Sequence, residues 1–152
     1  MVLDETVART KFNIAKCEIN EQSNQENDWQ LRIANFPNIF IDIFALDNNV
    51  SLTLYLNMSN WDFQPPSATL LHPTLNRLSK KEEVPAELEL GHPHIFQNPR
   101  IWFCSPGFFE YHQHYKLDRW ELIRNTSEGT ITWIINRAIS LIDRSKLCGY
   151  NV

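Results

Sequence analysis

A chain of 152 residues, 43% of them apolar and 21% charged, has the size and composition of a single folded domain rather than a disordered segment. Its formal charge of −4 argues against a nucleic-acid partner, because a phosphate backbone selects basic surfaces. Three widely spaced cysteines (Cys17, Cys104 and Cys148) do not read as a disulfide framework, no run approaches the roughly 20 apolar residues of a membrane helix, and acidic residues stand where a signal peptide carries positive charge, so a reduced, cytoplasmic protein with no membrane partner is expected.

Residues 4–19 carry a helix signal. Asp4 supplies an N-cap, and Ala8, Phe12, Ala15 and Ile19 form one apolar stripe. The polar run NEQSNQEND (20–28) is expected to be a loop. Strands follow. WQLRIANF (29–36) is the first. In IFIDIFAL (39–46), Ile39, Ile41, Ile43 and Ala45 alternate with Phe40, Asp42, Phe44 and Leu46. LDNNV (46–50) has turn chemistry. In SLTLYLNM (51–58), Leu52, Leu54, Leu56 and Met58 share one face, and Ser51, Thr53, Tyr55 and Asn57 the other. A fourth strand is expected after Pro65-Pro66. Short connections predict an antiparallel meander.

From His72 to Gly91 the pattern dissolves around KKEE (80–83), which reads as a solvated charge cluster. Residues 92–115 are dense in aromatics and prolines, and little regular structure is expected there. Ile131, Ile134, Ile135, Ala138, Ile139 and Ile142 then give a helical stripe, with capping residues in Asn125-Thr126-Ser127-Glu128 and a stop at Gly149. The fold class is α+β in one domain spanning 1–152: helix, four-stranded meander, irregular crossover, helix.

The chemistry concentrates in HPHIFQNPRIWFCSPGFFEYHQH (92–114), which holds four of the five histidines and one of the three cysteines. Two readings follow from residue types. In one, His92-x-His94 and His112-x-His114 each present two imidazoles on one side of an extended segment, a donor set suited to zinc, although the spacings match no zinc-finger pattern. His94, His112 and His114 are the candidate metal ligands. In the other, Cys104 is a reactive nucleophile. Trp102, Phe103, Phe108, Phe109 and Trp120 are expected in the core.

Element order and motifs together resemble the ubiquitin-conjugating enzymes. That family has a proline-rich entry to its fourth strand, matched by Asp62-Phe63-Gln64-Pro65-Pro66 after Trp61. It has an HPN tripeptide before its cysteine, matched by His92-Pro93-His94 before Cys104. It has a tryptophan leading into the next helix, matched by Trp120. The resemblance spans roughly residues 4–143. His94 stands where the family has asparagine, the interval from Cys104 to Trp120 is longer, and residues 74–90 form a long insert. These departures are similar to the compact bacterial versions of the fold, which occur beside activating-enzyme-like and deubiquitinase-like proteins.

The resemblance implies a ubiquitin-conjugating-like fold and a conjugating enzyme that needs no cofactor. Cys104 accepts a ubiquitin-like protein as a thioester from an activating enzyme, and an amine on a protein substrate then attacks it. His94 takes the place of the oxyanion-donating or loop-holding asparagine, with the added capacity to take up a proton near neutral pH. His92 shapes the loop. Asp118, with Glu121, is placed to orient or deprotonate the amine, and His112 and His114 are candidates for His94's work. The alternative is a non-catalytic adaptor or metal-binding protein of the same fold, built on His92, His94, His112 and His114.

Overall fold

The computed structural model describes residues 3–23, 28–75, 77–80, 83–84 and 101–147, with no description of the His114 and Lys146 side chains. The first element is α1 (Glu5–Ser23). Asp4 caps it as expected, its carboxylate accepting the Thr6 N–H at 2.9 Å and the Val7 N–H at 3.4 Å. The buried stripe is Ala8, Phe12, Ala15 and Ile19. The helix runs one turn further than expected, taking Asn20-Glu21-Gln22-Ser23 from the polar run. Glutamate and glutamine are adequate helix formers, and those positions face solvent, so nothing opposes continuation.

The strands β1 (Trp29–Asn35), β2 (Asn38–Phe44), β3 (Val50–Asn57) and β4 (Ser67–Leu71) form one antiparallel sheet in the order β1-β2-β3-β4. The meander is thus as expected, including the start of β4 just past Pro66. Ile39, Ile41, Ile43, Leu52, Leu54, Leu56 and Met58 are buried on the face that receives the helices. In β1 the register shifts between Leu31 and Ile33. This bulge at Arg32 lets Trp29 and Ala34, an odd number of residues apart, both turn inward, and leaves Ile33 half exposed.

The opposite face is less wet than simple alternation implies, since Ser51 and Thr53 are also buried. Arg32 reaches across it. Its guanidinium donates to Asp42 Oδ2 at 3.0 Å, Thr53 Oγ1 at 3.1 Å and the Pro73 carbonyl at 3.2 Å. These bonds satisfy polar groups that burial alone makes costly.

Past the sheet come α2 (Phe109–His114), α3 (Trp120–Ile123) and α4 (Ile131–Ser140). The helix α2 corrects the expectation of little regular structure before Tyr115. Six residues are too few to hold a helix by propensity. Tertiary bonds hold it: the Phe109 N–H donates to the Pro66 carbonyl at 2.9 Å, and buried Glu110 accepts from Ser67 Oγ and from the Ala68 N–H at 3.4 Å.

The α4 stripe is buried as expected, but the ends of the helix differ. Thr130, not the Asn125–Glu128 run, caps it by accepting the Trp133 N–H at 3.3 Å. The run instead forms a turn and a short 3-10 segment, Ser127–Gly129. The helix stops at Ser140, nine residues short of Gly149, which lies outside the described residues. Arg144 explains the early stop. It donates to the Phe44 carbonyl at 2.6 Å and pairs with Asp28 at 2.6 Å, pulling the chain back to the end of β2.

One hydrophobic cluster unites α1, all four strands, residues 101–108 and α4. Trp29 Nε1–H donates to Asn136 Oδ1 at 3.0 Å, tying the first strand to the last helix. No helix among the described residues is long and apolar enough to cross a membrane.

Candidate active site

The segment bearing Cys104 is tied to β4 through a side chain. Thr69 Oγ1–H donates to the Ile101 carbonyl at 2.6 Å, and Ile101, Trp102 and Phe103 are buried. Three consecutive buried residues fix the backbone, so Cys104 emerges at a defined place, half exposed. The next four residues turn sharply. The Phe108 N–H donates to the Ser105 carbonyl at 3.4 Å, with Pro106 second and Gly107 third at φ +100°. This is the pattern of a type II turn, and it needs glycine at its third position. A Cβ on Gly107 meets Ile134 Cγ1 at 3.0 Å, so the Ile134 side chain has to shift to admit one.

The turn is largely buried. Ser105, Gly107 and Phe108 are buried, because Phe108 stacks on Phe103 with centroids 4.8 Å apart and draws the turn into the core. Ser105 Oγ accepts from Arg137 Nε at 3.2 Å, a second tie to α4.

His112 bridges this turn and the chain after α2. The Gly107 N–H donates to His112 Nε2 at 3.2 Å, and His112 Nδ1 lies 2.6 Å from the Asp118 carbonyl. A backbone N–H only donates, so Nε2 accepts. Nδ1 must then carry the proton and donate to Asp118. Burial, first, holds the His112 pKa below its ordinary value, against the opposing pull of Asp118 and Glu121. His112 is therefore a neutral strut with both ring nitrogens engaged.

Two stacked tyrosines, Tyr111 and Tyr115, stand beside Cys104, with centroids 4.7 Å apart. The Cys104 thiol donates to Tyr115 Oη at 3.8 Å. The Tyr111 hydroxyl donates to the Asp118 carboxylate, and burial followed by Asp118 pushes its pKa up to about 12. Burial raises the Cys104 pKa, while the Tyr115 hydroxyl pulls in the opposite direction.

Asp62 collects the neighbouring elements. It sits at φ +68° in the loop before β4, and its carbonyl accepts Trp120 Nε1–H at 2.9 Å. Its carboxylate pairs with Lys11 of α1 at 2.8 Å and Arg124 at 3.5 Å. The Trp61 and Trp120 rings lie 6.0 Å apart. Two motifs distant in sequence, WDFQPP and Trp120, thus meet. A cleft of about 320 Å³ opens between them, with Phe63, Pro65, Tyr115, Asp118, Trp120 and Glu121 on its wall.

The structure brings Cys104, Tyr115, His112 and Asp118 into one neighbourhood, with Asp118 linked to Cys104 through Tyr111 and Tyr115. His92 and His94 lie outside the described residues, as does the His114 side chain. No group of three or more histidine, cysteine, aspartate or glutamate side chains with metal-holding geometry occurs among the described residues. Sequence reasoning missed Tyr115 and Arg137. Nothing in their spacing marks them, since each acts across the fold on Cys104 or its neighbour. No protein-family model matches this chain, and no curated protein matches it.

Proposed function

We propose that this chain is a ubiquitin-conjugating-like enzyme, of the compact bacterial type, that carries a ubiquitin-like protein as a thioester on Cys104. The observation that supports it is the convergence of the motifs. The loop before β4 binds Trp120 through Asp62, and Tyr115, on the wall of the cleft beside them, holds the Cys104 thiol.

In the first step, the Cys104 sulfur attacks the carbonyl carbon of the activating enzyme's thioester. The new carbon–sulfur bond forms as the old one breaks, and the departing cysteine takes the electron pair. One thioester replaces another, so access matters more than a strongly lowered pKa. In the second step, an amine of the protein substrate attacks the same carbon. A carbon–nitrogen bond forms, Cys104 leaves as thiolate, and the nitrogen gives up a proton. Asp118, on the cleft wall, orients that amine. His94 donates to the developing oxyanion, and His92 holds the loop. No cofactor is needed, and the setting is the cytoplasm.

The test is incubation with ATP, the ubiquitin-like protein and the adenylating enzyme of the same genome. The expected product is an adduct that reducing agent cleaves and that Cys104→Ala abolishes. No adduct, or one indifferent to Cys104→Ala, ends this reading.

The half-buried thiol with its raised pKa favours a second reading, a non-catalytic adaptor of the same fold. Full protection of Cys104 from thiol-labelling reagents at neutral pH selects it. Its zinc-binding version rests on His92, His94 and His114 once His112 is engaged as a strut, and elemental analysis of gently purified protein decides it.

A further inference from the structure

We infer that Tyr115 is a catalytic residue, the hydrogen-bond donor to the Cys104 sulfur whenever that sulfur carries negative charge. The role in acyl transfer rests on the function proposed above, but the pairing of the two side chains does not.

The geometry carries the inference. Tyr115 Oη is 3.8 Å from Cys104 Sγ, and Tyr115 also lines the cleft between the WDFQPP loop and Trp120. The ring is held in place rather than merely near. It stacks on Tyr111, the Tyr115 N–H donates to the Tyr111 carbonyl at 2.9 Å, and the Tyr111 hydroxyl is anchored on Asp118. The phenol can both accept and donate. With the thiol protonated, S–H donates to Oη. With the proton gone, the hydroxyl rotates and donates to sulfur, a charge-assisted bond that is stronger than the one it replaces.

That reversal falls where the reaction needs it. When an amine displaces Cys104 from a thioester, the carbon–sulfur bond breaks and its electron pair settles on Sγ. The proton leaves from nitrogen, not from Tyr115, whose O–H bond stays intact. Tyr115 therefore stabilises the leaving group without being consumed. Its own ionisation is pushed upward by the neighbouring sulfur, which keeps it a donor throughout the working range. Cys104 has the opposite need, since burial disfavours its charged form. A donor at the sulfur offsets part of that burial.

The experiment titrates Cys104 directly. Cys17, which is exposed, and Cys148 are replaced by serine, so Cys104 is the one remaining thiol. The rate of alkylation by iodoacetamide is followed across the thiol's titration range, with and without Tyr115→Phe, which keeps the stacked ring and removes only the hydroxyl. The midpoint should rise by about one pKa unit in Tyr115→Phe, a roughly tenfold loss of thiolate near neutral pH. The plateau rate at high pH, where all thiol is ionised, should stay unchanged, because it reports access. A merely structural role for Tyr115 moves the plateau and leaves the midpoint alone. That outcome, or superimposed curves, overturns the inference. No activating enzyme or modifier enters this assay. A shifted midpoint with no thioester loading removes the proposed function alone; an unshifted midpoint removes Tyr115 alone.

Discussion

Gly107 and His112 decide at the residue scale how firmly the turn after Cys104 is held. Gly107 combines a positive φ with a crowded Cβ direction, so Gly107→Ala meets backbone strain and presses on Ile134. A loss of about 1–3 kcal/mol is expected, read as a lower urea midpoint with an unchanged slope. His112 acts through its protonation state. Its neutral form accepts the Gly107 N–H; its protonated form sets one N–H against another. Because the folded-state pKa is lowered, the unfolded chain binds the proton more readily. The contribution to stability is complete above the ordinary imidazole pKa of about 6.5 and is lost as pH falls toward the lowered folded value. Denaturation midpoints measured on either side of that pH should fall more for wild type than for His112→Gln. Equal falls assign the change to other groups.

At the element scale, α2 and β4 depend on each other. Edge strands expose unpaired N–H and carbonyl groups, and here Glu110 covers the Ala68 N–H while the Ser79 N–H donates to the Leu70 carbonyl. Glu110→Ala leaves a buried donor unsatisfied, and about 1–3 kcal/mol of stability should go with it. The site should also loosen, seen as faster amide exchange in residues 105–115 than in β2 or β3. Faster exchange spread evenly over the sheet contradicts this local account. These contacts explain what could be read from sequence. Alternation of apolar and polar residues marks β2 and β3, because strand geometry sends neighbours to opposite faces. It could not mark α2, whose six residues are helical for reasons supplied by Pro66, Ser67 and Ala68. Nor could it mark the Arg32 bulge, which follows from the pairing of β1 with β2.

At the scale of the whole molecule, among the described residues, the segment bearing Cys104 packs into the same hydrophobic cluster as α1, the sheet and α4. Unfolding should therefore be a single transition. Far-UV circular dichroism and tryptophan fluorescence are expected to give coincident denaturation curves, since Trp29, Trp61, Trp102 and Trp120 all lie in that cluster. An early fluorescence change with retained dichroism means that the Cys104 segment detaches on its own. Asp62 acts at the same scale, holding α1, the loop before β4 and the Trp120–Arg124 region together through two ion pairs and one backbone carbonyl.

By itself, the sequence determined the class of the fold: a capped amphipathic helix, alternating strands joined by short turns, and an isoleucine-striped helix. Those signals are local, because helix and strand periodicity are written within a few residues. The sequence also pointed to Cys104 as the centre of interest. Only the tertiary structure decided the cysteine's surroundings. It buried the turn that follows, set His112 as a strut with its proton on Nδ1, and brought Tyr115 to the sulfur. Each of those outcomes depends on contacts made across the packed fold, and no local pattern can specify such a contact.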